Sequence, residues 1–189
     1  MANVNTAILT YEDYRNAPDD ERCELLDGQL VMIAAPNIAH QIASGELFRF
    51  LSDFVDKGGL GRVFIAPTDV VLSDTNVAQP DLVFVSKGRM SIVGADNIQG
   101  APDLVVEVIS PSDRARDMVR KRDIYAWHGV GEYWIADPEA HSVRVMVLEG
   151  DAYRVTGEYD IGDVLASRTL EGIDLQVGEV FAEPGAERA

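Results

Sequence analysis

The sequence predicts an α/β domain of the α+β kind: a mixed β-sheet core flanked by two main helices, with an extra C-terminal hairpin. Three observations carry this. Short β-branched runs bounded by Gly, Pro, Asn or Asp recur along the chain. Two longer stretches follow helical spacing. The 189 residues are 47% hydrophobic and 25% charged, which suits one domain with a sizeable core.

The elements follow in order. "TYEDY" reads as a short helix with Thr10 as N-cap and Asp13 three residues on. "CELLDGQLVMIAAP" reads as two strands around an Asp27-Gly28 turn. "NIAHQIASGELFRFLSDFVDKGG" is a helix, with Ser44, Leu47, Leu51 and Phe54 on one stripe and Gly58-Gly59 as its stop. "RVFIAP", "DVVLS", "PDLVFV" and "DLVVEVIS" are strands. "SDRARDMVRKRDIYAWHGV" is the second main helix, ended by Gly129. "EYWIADP", "SVRVMVLEG" and "AYRVTGEY" are strands, the last two a hairpin around Gly150-Asp151. The expected domain is 1–189, with its core at about 10–175 and a frayed tail at 182–189.

The charge balance narrows the function classes. The net charge of −16 argues against a protein that coats nucleic acid through a broad basic surface. A small local basic site is compatible with it, and clustered carboxylates would suit divalent cations. Nothing approaches the roughly 18 apolar residues of a membrane span. The N-terminus has no signal-peptide pattern. The single cysteine, Cys23, permits no internal disulfide, so the expected location is cytoplasmic.

One strand raises a chemical question. In "PDLVVEVISPSD", Glu107 stands inside a run that is apolar on both faces. An ionised carboxylate there loses its water and needs a partner. Asp81 opens the preceding strand, "DLVFV". Neighbouring strands would bring the two carboxylates to one end of a sheet, a pair suited to a hard divalent cation. On the second helix, Met118, Lys121, Tyr125 and His128 share a stripe, so Lys121 is expected to point inward. Glu24, in the first strand, is a candidate fourth member. His40 is a further candidate, one turn before Ser44. Asp103 is a rival for the aspartate role, and turn capping competes with that role at the strand entry. Glu107 also has a structural reading, as the ion-pair partner of Lys121 or of an arginine.

Pro80-Asp81, a strand glutamate and a following lysine resemble the PD-(D/E)xK nuclease superfamily. More closely, "CELLDGQLV", "QPDLVFV", "APDLVVEVISPSD" and "KRDIYAWHGVGEYWIADP" resemble a large bacterial family of restriction-endonuclease-like proteins, long labelled a domain of unknown function. The resemblance runs from about Thr10 to Leu175. It implies a restriction-endonuclease-like core and a Mg²⁺- or Mn²⁺-dependent endonuclease that hydrolyses phosphodiester bonds of nucleic acid, DNA in the first place. By position, Asp81 matches the motif aspartate and Glu107 the acidic residue of the (D/E)xK element; these are the implied metal ligands. Ile109 stands where the lysine of that element would be, and Lys121, on the following helix, matches it instead. Glu24 matches the early acidic residue. The alternative is a binding or assembly module that keeps the fold without efficient cleavage. A homodimer is expected from the exposed strand edge that "SVRVMVLEG" or "AYRVTGEY" would leave.

Overall fold

The computed structural model describes residues 7–17, 22–110 and 116–181, and for 116–118 the backbone alone. The tail at 182–189 and residues 111–115 before the second main helix lie outside the described residues. Helix α1 is Tyr11–Arg15, closed by a reciprocal Thr10–Asp13 capping box. Strands β1 (Cys23–Leu26) and β2 (Gln29–Met32) form a hairpin. Its turn needs positive φ at both central residues, Asp27 at 48° and Gly28 at 71°. A Cβ at Gly28 would also collide with Ile8. Helix α2 runs Ile38–Gly58 from an Asn37 N-cap to a left-handed Gly59.

The remaining strands are β3 (Gly61–Ile65), β4 (Val70–Ser73), β5 (Asn76–Ala78), β6 (Leu82–Ser86), β7 (Ile98–Gln99), β8 (Leu104–Val108), β9 (Glu132–Asp137), β10 (Ser142–Glu149), β11 (Ala152–Tyr159), β12 (Val164–Leu165) and β13 (Leu175–Gln176). Helices α3 (Arg122–His128) and α4 (Val177–Val180) complete the set.

The strands do not form one sheet. A six-stranded sheet has the order β11-β10-β9-β8-β6-β3, and a five-stranded sheet has the order β2-β1-β5-β4-β7. A small pair, β12-β13, lies near the C-terminus. The division was not visible in the strand signals, because a local apolar run does not say which strand it pairs with. The second main helix is also shorter than its apolar spacing suggests. Arg116–Lys121 is π-helical, and regular α-helix begins at Arg122.

The large sheet is covered on both faces, which explains why β8 reads as a continuous apolar run. Leu104, Val106 and Val108 face α2 and the C-terminal segment, in one cluster with Leu47, Leu51, Leu170 and Val177. Val105 and Ile109 face the other way, packing with Ile124, Tyr125 and Tyr133. Strand alternation puts Glu107 on this second face. β8 and β9 are parallel, so the chain must cross over between them. The crossover is the π-helical turn and α3, which carry Lys121 and Tyr125 across the face that holds Glu107. Leu26 of β1 and Ala78 of β5 join the same cluster, so the small sheet closes over it. Among the described residues no helix is long and apolar enough to cross a membrane.

A second buried carboxylate fastens the C-terminal segment. Glu132 on β9 is fully buried. It accepts hydrogen bonds from Trp134 Nε1 at 2.7 Å, Ser167 Oγ at 2.8 Å, and the backbone N–H of Arg168 and Thr169 at 3.0 and 2.7 Å. Glu132→Ala leaves these donors without an acceptor, so it should lower the free energy of urea unfolding by about 3 kcal/mol or more. Glu132→Gln should lose less, since one oxygen remains. A loss under about 1 kcal/mol for the alanine variant would show that the segment is held by its apolar contacts alone.

Candidate active site

One cavity, of about 270 Å³, gathers most of the residues singled out by the sequence. Glu24, His40, Asp81, Glu107 and Lys121 all line it. β6 and β8 are antiparallel, with Leu82 opposite Val106. One step further along the ladder, Asp81 comes opposite Glu107. The Val108 N–H donates to Asp81 Oδ2 at 2.8 Å, which ties the two strand ends together.

Lys121 answers the question that Glu107 raised. Its Nζ lies 2.8 Å from Glu107 Oε1 and 2.7 Å from Glu24 Oε1. Lys121 and Glu107 are each only 3% exposed and Glu24 1%. Tyr125, one helical turn after Lys121, donates its hydroxyl to the same Glu107 oxygen at 2.7 Å. Burial, and after it the charges of Glu107 and Glu24, push the Tyr125 hydroxyl well above its ordinary range, so it stays a protonated donor. Lys121 is the last residue of the π-helical turn, a distortion that often re-aims a side chain at a functional site.

Glu24 is held from its other side. The Gln79 N–H donates to Glu24 Oε1 at 2.8 Å. The Gln79 side-chain amide in turn donates to Asp69 and to Tyr14 of α1. Glu24 Oε2 and Gln79 Oε1 are buried oxygens with no hydrogen-bond partner among the described residues. At the other side of the cavity, His40 Nε2 is 3.2 Å from Asp81 Oδ2, and the Ser44 hydroxyl is 3.3 Å from His40 Nδ1.

Asp103 stands apart. It accepts from the Ser86 N–H at 2.7 Å and pairs with Arg89 at 3.1 Å, so it holds the far end of β6 against β8 and does not line the cavity. Two arginines of the second main helix are engaged elsewhere. Arg120 binds Asp27 and the Leu26 carbonyl, and Arg122 pairs with its neighbour Asp123. Arg114 and the side chains of Arg116 and Met118 lie outside the described residues. His128 is half-buried beside Asp27, away from the cavity; burial lowers its pKa more than Asp27 raises it. Tyr133 and Trp134 are core residues, whereas Trp127 is exposed.

Sequence reasoning missed Gln79, Tyr125 as a partner of Glu107, Arg22, and the apolar lining from Ile33 to Pro36 and from Ile65 to Pro67. Signals existed for two of them. Gln79 is two residues before Asp81, and Tyr125 is four after Lys121 on a helical face.

Residues 10–178 match the model of the Uma2 family, described as "Putative restriction endonuclease". The chain belongs to the Uma2 family. Among solved structures, the fold is similar to a crystal structure of "a putative nuclease belonging to DUF820" from Anabaena variabilis ATCC 29413. The TM-score is 0.77 at 17% identity, over 92% of this chain and 97% of that one. No curated protein matches the chain. Uma2 membership accounts for the restriction-endonuclease-like fold.

Whether the Uma2 chain suits a divalent metal rests on its donors. Among the described residues, no group of three or more His, Cys, Asp or Glu side chains is placed to hold a metal ion. Asp81 and Glu107 supply two carboxylates at opposed strand positions, and Glu24 Oε2 adds a buried oxygen without a donor. Mg²⁺ is usually held by only one or two carboxylates and keeps several waters, so this set fits it.

Two outcomes follow. Lys121→Met removes the ammonium that pairs with both Glu24 and Glu107, so it should cost about 3–5 kcal/mol in urea unfolding. Adding Glu107→Gln to it should recover part of that loss. A neutral Lys121→Met would mean that water reaches the pair. The second outcome concerns alkali. Tyrosine in the unfolded chain ionises at about 10, while folded Tyr125 keeps its proton above that. Stability from this group is therefore complete below pH 10 and is lost as pH rises beyond it. Burial raises Tyr14 and Tyr153 in the same direction. Tyr125→Phe should flatten the fall in melting temperature above about pH 10 without abolishing it. An unchanged slope would mean that Tyr125 ionises normally.

Proposed function

We propose that this Uma2 protein is a divalent-metal-dependent endonuclease that hydrolyses phosphodiester bonds of nucleic acid, with DNA as the first substrate to test. Its active centre is the cavity between the first turns of α2, the ends of β6 and β8, and the π-helical turn. The observation that carries the reading is the meeting of Asp81, Glu107 and Lys121 there.

Asp81 and Glu107 would hold Mg²⁺ or Mn²⁺. Bound there, the ion would supply Lewis-acid polarisation of the scissile phosphate and a lowered pKa for a water. The rest is the work of the chain. Val108 N–H and His40 fix Asp81 Oδ2. Tyr125 and Lys121 fix Glu107 Oε1. The Lys121 ammonium, kept near the carboxylates by Glu24, is a preorganised cation for charge that develops on the phosphate oxygens. Glu24 Oε2 is an acceptor for the proton of an attacking water. Ser44 orients the His40 ring, which can carry a proton at the rim.

A binding-module reading keeps one observation in its favour. Two carboxylates already satisfy Lys121, as a purely structural ion pair would. Homodimerisation is proposed from β11, one of the two outer strands of the large sheet, whose exposed face includes Val155.

The deciding experiment incubates plasmid and oligonucleotide DNA with the protein in Mg²⁺ and in Mn²⁺. Wild type should cleave, and Asp81→Asn and Glu107→Gln should each lose at least ~100-fold in rate while keeping the native circular dichroism. Binding without cleavage in either metal would favour the module. Cleavage that survives Asp81→Asn would place the chemistry elsewhere.

A further inference from the structure

The acidic residues are recessed. Glu24, Glu107 and Lys121 are each no more than 3% exposed, and Asp81 and His40 are only about one-sixth exposed at the side chain. A phosphate must enter the cavity to reach them. A continuous duplex resists this, because it is stiff and must bend or open locally to press one phosphate into a recess.

The rest of the lining has another character. Ile33, Ala34 and Pro36, between β2 and α2, Ile65 at the end of β3 and Pro67 after it bring apolar surface to the same cavity as the carboxylates. Ile65 is 39% exposed although it ends a strand. Apolar surface beside a phosphate-directed site suits the face of an unpaired base, which is sequence-tolerant and shuns water.

Cations point the same way. A protein that grips duplex DNA neutralises many phosphates with Lys and Arg. Among the described residues most of those side chains are already ion-paired, including Arg89 with Asp103, Arg120 with Asp27, Arg144 with Glu158 and Arg154 with Glu149. In the cavity itself Lys121 is bound by two carboxylates, and among the described residues Arg22 is the other Lys or Arg of the lining.

We infer, resting on the nuclease reading above, that the cavity takes one unpaired nucleotide. Its phosphate lies toward Asp81 and Glu107 and its base against Ile65, Pro36 and their neighbours. The substrate is then single-stranded nucleic acid, or an unpaired loop, and not continuous duplex.

The test uses one labelled oligonucleotide in DNA and in RNA form, its full duplex, and a hairpin with an unpaired loop, all in Mn²⁺. The single strand, in one sugar form or both, should be cut at least ~10-fold faster than the duplex, and the hairpin should be cut in its loop. Binding by Asp81→Asn, read by fluorescence anisotropy, should weaken only shallowly with salt, as for one or two phosphate contacts. Ile65→Ser should raise KM for the single strand several-fold, with an unchanged melting temperature. Duplex cut as fast as single strand, with Asp81 still required, would overturn this inference and leave the nuclease reading standing. An unchanged KM for Ile65→Ser would remove the base from the apolar wall and overturn it too. No cleavage of any of these substrates by wild type would overturn both.

Discussion

Everything near the cavity depends on one buried ammonium. Lys121 sits between Glu24 and Glu107 with almost no water around it, and neither carboxylate could remain ionised in that place alone. The cost of burying three charges is offset only if each is placed well and given further hydrogen bonds. Tyr125 supplies one to Glu107 and Gln79 one to Glu24. The ion triad therefore fixes the relative position of β1, β8 and the π-helical turn, three elements from distant parts of the chain.

The topology makes that meeting possible. A parallel β8–β9 pair forces a crossover, and the crossover helix must lie on one face of the sheet. Alternation along β8 then decides which residues that helix meets: Val105, Glu107 and Ile109, not Val106 and Val108. Antiparallel pairing of β6 with β8 sets Asp81 beside the same strand end, where the Val108 N–H holds it. The first turns of α2 bring His40 and Ser44 in from the other side. The site is thus a product of register, and a one-residue slip of β8 would turn Glu107 toward α2.

Much of this was legible in residue order. The capping box of α1, the Asp27-Gly28 turn, the glycine stop of α2 and the Gly150-Asp151 hairpin are local signals, and local signals survive folding. Lys121 could be read as inward because helical spacing places it with Tyr125. The separation into two sheets could not be read, since strand pairing is a long-range matter that β-branched runs leave undetermined. The π-helical turn was equally hidden: its apolar spacing imitates an α-helix until the ion triad fixes where Lys121 must point. Asp103 shares a strand face with Glu107, and only the pairing with Arg89 and the Ser86 N–H shows that it serves as a brace. The apolar lining of the cavity comes from two short connections whose sequences carry no chemical motif.

If Asp81 and Glu107 together hold a divalent ion beside Lys121, as proposed, the ion can be located. Crystals of the wild-type protein soaked in Mn²⁺ and measured for anomalous scattering should show a strong peak in the cavity, with carboxylate oxygens of Asp81 and Glu107 at coordination distance. A cavity without a peak at saturating Mn²⁺, or a peak bound only by other carboxylates while Lys121 and Glu107 stay paired as they are here, would contradict the proposal and leave the triad a structural ion cluster.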